Sequence, residues 1–272
     1  MNRSFLQEKK VWLFDLDGCL YHTDRPAPGA MEMLRALRGE GKKVGCVTNN
    51  SRQSREEIAD KLTRMGFDIA PESIFTATDA AGRYVRERYG ACTVMVVGSD
   101  SLERAMEREG HRVVPLEANE AADLIVIGRD TEFTFAKLQD IVEHEKRGAR
   151  ILTANPDMWH PGPEGRRVPE TGALAAAVEA ITGKPMETVG KPEPHLFAYA
   201  RSSFQAASEQ CVMVGDNLST DIAGGSRAGM STVWIRGLDP IPERAGNGPA
   251  AKPDWIVSDM RELLALYTEG RG

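Results

Sequence analysis

A chain of 272 residues is long enough for two modest domains, each with a core of its own. Its 41% hydrophobic and 27% charged residues are ordinary for a globular protein, and no low-complexity tract or short repeat indicates disorder or a solenoid. The net charge of −6 argues against nucleic acid as a partner, because phosphate-backbone binding needs clustered surplus Lys and Arg, whereas a small anion needs only a local positive site.

The opening MNRSFLQEKK lacks the apolar stretch of a signal peptide, and no apolar run approaches the roughly 20 residues that span a bilayer, so a cytoplasmic address and no membrane partner are expected. Short apolar runs then alternate with helical patterns, at residues 11–14, 44–47, 94–97, 124–127, 151–152 and 212–214. That alternation predicts an α/β fold on parallel sheet. After the second run, Ser54 and Glu57 fit a capping box, Ile58, Leu62 and Met65 fall on one helix face, and Gly66 ends the helix. Thr48, Asn49 and Asn50 therefore lie between a strand and a helix.

Open parallel sheets bind ligands beyond the carboxyl ends of their strands, where helix N-termini present N–H groups. Four polar stretches directly follow apolar runs: Asp15-Leu16-Asp17-Gly18, Thr48-Asn49-Asn50-Ser51, Gly190-Lys191-Pro192, and Gly215-Asp216-Asn217-Leu218-Ser219-Thr220-Asp221. Any one of them also reads as a cap or a turn. The ordered set of four points to a site.

Two carboxylates leaving one buried strand, Asp15 and Asp17, repel each other unless a cation or shared proton compensates. Asp216 offers a third oxygen ligand from a neighbouring strand end, and an all-oxygen set suits Mg²⁺. Asp221, at the next helix start, is placed to orient a ligand or metal-bound water, with Asn217 beside it in the same loop. Lys191 adds a positive charge, Thr48 a hydroxyl, and the Asn49 and Asn50 N–H groups donors for a phosphate. Together these neutralise a phosphoryl group. Asp15 is the candidate nucleophile, forming an aspartyl-phosphate, and Asp17 the candidate acid and base.

In these four motifs the sequence resembles the haloacid dehalogenase superfamily, and within it the NagD-like phosphatases with a type II, subclass A cap. The resemblance covers nearly the whole chain. It implies a Rossmann-like, doubly wound parallel sheet as catalytic core, formed by residues 1–78 and 188–272, with an α/β cap domain inserted at 79–187. It also implies that Asp15 and Asp216 give side-chain ligands to Mg²⁺, that Asp17 gives its backbone carbonyl, and that Thr48, Asn49 and Lys191 hold the phosphoryl group. Asp17 favours phosphate-ester chemistry, since dehalogenating relatives lack that acid. Cys19 departs from the family's usual Thr or Val, and packing is its expected role. With Cys46, Cys92 and Cys211 it forms no CxxC pair, so reduced thiols are expected.

The expected activity is hydrolysis of small phosphorylated metabolites, such as sugar phosphates or nucleoside monophosphates. A phosphotransferase or mutase using the same intermediate, and a non-catalytic sensor of a phosphorylated ligand, are the alternatives; a homodimer is left open. In the inserted segment, Asn155, Trp159 and His160 are candidate substrate contacts, the last two in a Gly/Pro-rich loop with Arg166. His144 and His195 are expected to be solvated or capping, and residues 237–253 to be a surface connection.

Overall fold

The computed structural model describes residues 4–237 and 251–269. The first of two compact units comprises Met1–Thr48, Ala59–Phe75 and Lys191–Gly272. Its sheet has six strands in the order Trp255–Val257, Ser231–Ile235, Cys211–Gly215, Val11–Phe14, Lys43–Thr48, Ile74–Thr76. Val11–Phe14 lies parallel to both of its neighbours, as Cys211–Gly215 does to Ser231–Ile235. All four residues of Val11–Phe14 are buried, as an internal strand covered on both faces requires.

From this central strand the chain order runs outward in both directions, through Lys43–Thr48 on one side and Cys211–Gly215 on the other. That reversal is the switch point where open α/β sheets leave a crevice beyond their strand ends. Register sets the level of the crevice, with Phe14 paired to Val214 on one side and to Cys46 on the other. Asp15, Thr48 and Asp216 thus emerge together. Among the helices of this unit, Ala30–Gly39 buries Ala30, Met33, Leu34 and Leu37, the spacing of one helical face. The architecture is a Rossmann-like parallel-sheet core.

The second unit comprises Asn49–Ile58 and Thr76–Gly190. Its five strands are ordered Glu187–Thr188, Arg150–Thr153, Leu124–Ile127, Thr93–Val97, Arg112–Val114, all paired in parallel. Met95, Val97, Ile125 and Ile127 present one face of this sheet to Ile141 and Val178 from the helices Phe135–Lys146 and Thr171–Thr182. The unit's edges in the inserted segment, Thr76 and Gly190, fall a few residues outside Asp79 and Glu187. Residues 49–58 group with this unit, because their partners are there. The Asn155 amide donates to the Asn49 carbonyl at 2.7 Å, Ser99 Oγ to the Arg52 carbonyl at 2.6 Å, and Ser101 Oγ to Glu57 at 2.9 Å.

The Ser54–Glu57 capping box forms, Ser54 N donating to Glu57 Oε2 at 2.7 Å and Glu57 N to Ser54 Oγ at 3.3 Å, at the start of the helix Arg55–Arg64. Two readings need correction. The stretch holding Trp159 and His160 is an antiparallel hairpin, Trp159–Pro161 with Arg167–Pro169, its Gly and Pro residues serving the turn. His144 is buried, its Nε2 2.9 Å from the Leu116 carbonyl, because an imidazole can close a core while one nitrogen serves a backbone group. Most of the 237–253 connection lies outside the described residues. No helix among the described residues is long and apolar enough to cross a membrane.

Candidate active site

Asp15 follows the last residue of the central strand, and its own N–H donates to the Val214 carbonyl at 2.9 Å, which fixes it to the neighbouring strand. Its carboxylate is buried, as is that of Asp221, while Asp216 is half-buried. One oxygen from each of Asp15, Asp216 and Asp221 lies within 4.8 Å of the others. Lys191, only 3% exposed, donates from Nζ to Asp15 Oδ1 at 2.5 Å, to Asp221 Oδ1 at 2.6 Å and to the Val47 carbonyl at 3.1 Å. Two carboxylates therefore share one ammonium, with a third carboxylate beside them.

The shifts of the neighbouring groups reflect burial together with the nearby carboxylates. Burial disfavours the Lys191 cation, yet Asp15 and Asp221 outweigh it and hold its pKa well above the usual lysine range. Burial pushes the Asp221 carboxyl up, to about 6, with Lys191 opposing and Asp15 adding to the rise. The Cys19 thiol goes far up through burial and then through Asp15, Asp216 and Asp221. Tyr21 is raised by burial, Asp17 and Asp15. The hard oxygen donors of the three carboxylates fit Mg²⁺.

Two glycines make room for the cluster. Gly18 sits at φ +92°, and a Cβ there would stand 2.3 Å from Asp216 Oδ2. A Cβ on Gly215 would meet Asp221 Oδ2 at the same distance. Beyond Gly215, Asn217 N donates to Asp221 Oδ2 at 3.1 Å, while Asn217 Oδ1 accepts from Ser219 N at 2.9 Å and so caps its own turn. Asp216 offers its backbone carbonyl to the Trp234 indole N–H at 2.9 Å.

Asp221 is wholly buried and bonded to Lys191, the wide helical turn Leu218–Ile222 bringing it onto the strand end. The Asp17 carboxylate is outside this group of three, half-buried in the turn where Gly18 N donates to the Tyr21 carbonyl at 2.8 Å. Thr48 is buried at the end of its strand.

In the second unit, Asn49 and Asn50 are half-buried, and Asn50 Oδ1 accepts from Arg52 N at 3.0 Å and Gln53 N at 2.8 Å. Asn155 is 1% exposed, and its amide also donates to Thr171 Oγ1 at 3.3 Å while its Oδ1 accepts from Asp157 N at 3.0 Å. The Trp159 ring lies 4.7 Å from the Arg167 guanidinium, and His160 Nδ1 is 2.7 Å from Glu170 Oε1. The Gly18 cradle and the Trp234 bond are what motif spacing did not show; only strand register, which pairs Gly215 with Trp234, could have exposed the second.

Models of haloacid dehalogenase-like hydrolases match residues 12–112 and 188–263. Chronophin from Homo sapiens is 36% identical over 98% of this chain and 95% of its own. The chain belongs to the haloacid dehalogenase family, among its NagD-like phosphatases. Dihydroxyacetone phosphatase from Corynebacterium glutamicum is a further relative of this NagD-like chain, 32% identical over 96% of it and 93% of the relative. The solved NagD from E. coli K-12 superposes with a TM-score of 0.82 at 28% identity, covering 93% of this chain and 98% of that one.

Proposed function

We propose that this phosphatase hydrolyses phosphomonoesters of small metabolites through a covalent phosphate on Asp15, with Mg²⁺ held by the Asp15 and Asp216 carboxylates and the Asp17 backbone carbonyl. The observation that carries the reading is the group of three carboxylates, two of which share the ammonium of Lys191. When bound, the cation supplies the remaining positive charge needed by the phosphoryl oxygens.

The protein's own groups perform the two displacements. A carboxylate oxygen of Asp15 attacks phosphorus in line, forming an aspartyl-phosphate as the bond to the ester oxygen breaks, and Asp17 gives the leaving alkoxide its proton. Water then attacks the same phosphorus, Asp17 takes its proton, and inorganic phosphate leaves with Asp15 restored. Asp17's place outside the carboxylate group supports this division of labour, since its side chain serves the proton while Asp15 serves phosphorus. Thr48, the Asn49 and Asn50 N–H groups and Lys191 are the proposed holders of the phosphoryl oxygens. Lys191 arrives already oriented by Asp15 and Asp221, so it need not reorganise during the reaction.

Sugar phosphates are the favoured substrates, supported by the relative named a dihydroxyacetone phosphatase. Release of inorganic phosphate from 4-nitrophenyl phosphate, dependent on Mg²⁺ and abolished by EDTA, tests the activity. Folded protein that releases none would overturn it. A panel of sugar phosphates and nucleoside monophosphates, ranked by kcat/KM, then assigns the substrate class.

A further inference from the structure

Lys191 orients Asp15 and Asp221 through their side chains; Asp216 is addressed through its backbone. Trp234 lies on the strand Ser231–Ile235, paired in register with Gly215, the residue before Asp216. Its half-buried indole spans the step to the neighbouring strand's end and donates from Nε1 to the Asp216 carbonyl at 2.9 Å. On the other side of Asp216, the bare Gly18 leaves space for the carboxylate and would evict it if it carried a Cβ. After it, the Asn217 N–H is tied to Asp221 Oδ2. The peptide between Asp216 and Asn217 is therefore held by a side chain at each of its polar ends, Trp234 at the carbonyl and Asp221 at the N–H.

We propose that Trp234 is a positioning residue for Asp216 and that its indole reads whether the neighbouring cation site is filled. The inference rests on the Mg²⁺ reading above. A carboxylate ligand binds a small, geometrically demanding ion only when its backbone cannot swing, and groups behind metal ligands set affinity by limiting that swing. An indole is rigid, with two side-chain torsions, so its N–H bond fixes the carbonyl at small entropic cost. A half-buried indole N–H finds some acceptor in most folds, so cation affinity must be the readout; mere satisfaction of the donor would not move it.

Trp234→Phe removes the N–H and keeps an aromatic ring. Mg²⁺ is titrated into the parent, W234F and D216N, with binding read by calorimetry and by tryptophan emission, and the cation-free thermal midpoint checks the fold. The expected result is binding in the parent with a change in emission, binding about tenfold weaker in W234F with that change lost, and none in D216N. W234F that binds within twofold of the parent overturns the role of Trp234 and leaves the cation reading standing. A parent that binds no Mg²⁺ overturns the cation reading and this inference with it. One measurement needs no variant: of the parent's four indole N–H resonances, one must shift on Mg²⁺ addition against the other three. If none shifts, the inference fails.

Discussion

Each unit buries a charged cluster, and the two are balanced differently. In the second unit, Asp79 is one carboxylate with ample partners: Arg108 Nη2 at 2.6 Å, Arg55 Nε at 3.5 Å, and the Thr76 hydroxyl at 3.0 Å. Thr76 in turn caps the helix, its Oγ1 accepting from the Asp79 N–H at 3.0 Å. In the first unit, Asp15 and Asp221 share Lys191, and Asp216 lies beside them. A carboxylate matched by cations within the fold serves stability. A set left with surplus negative charge is held ready for something from outside, at some expense of stability when that is missing.

Substitutions can break this contrast. The largest effect is expected at Asp15: Asp15→Asn should lower turnover at least a thousandfold while substrate still binds, measured by phosphate release and by calorimetry. Equal turnover in variant and parent would refute covalent catalysis. Lys191→Met strands two carboxylates in a fully buried setting, and denaturant unfolding should show a loss of about 3–5 kcal/mol. A loss below about 1 kcal/mol would mean that the ammonium does not hold the cluster.

The sharper tests depend on sign. Saturating Mg²⁺ at 100 times its Kd should stabilise the parent by about 2.7 kcal/mol, and Asp216→Asn should remove that response. Without Mg²⁺ the same variant should unfold at higher temperature than the parent, since it relieves crowding among like charges. Asp79→Asn should do the opposite, losing about 1–2 kcal/mol with or without Mg²⁺, a modest figure because Arg108 is 45% exposed. If both variants move the cation-free midpoint in the same direction, charge balance does not distinguish the clusters.

The sequence displayed the frame of this site because buried parallel strands are written as unbroken apolar runs. Residues 11–14 and 124–127 have the same bounds as the strands that form. Edge strands such as Arg112–Val114 and Glu187–Thr188 are too short and too exposed to carry a period. The bond of Asp221 to Lys191 has another origin, the wide turn at Leu218–Ile222, which motif spacing does not encode. The attachment of residues 49–58 depends on bonds to Ser99, Ser101 and Asn155, far along the chain, which no local pattern encodes.

The central strand Val11–Phe14 pairs on one side with Lys43–Thr48 and on the other with Cys211–Gly215. During synthesis the first partner emerges at once, while the second waits for most of the chain. The nascent protein therefore carries an open apolar edge through much of translation, a template for mispairing that closes only when the carboxyl-terminal quarter leaves the ribosome. A truncation before Cys211 would keep that edge exposed, and such fragments should aggregate when expressed alone.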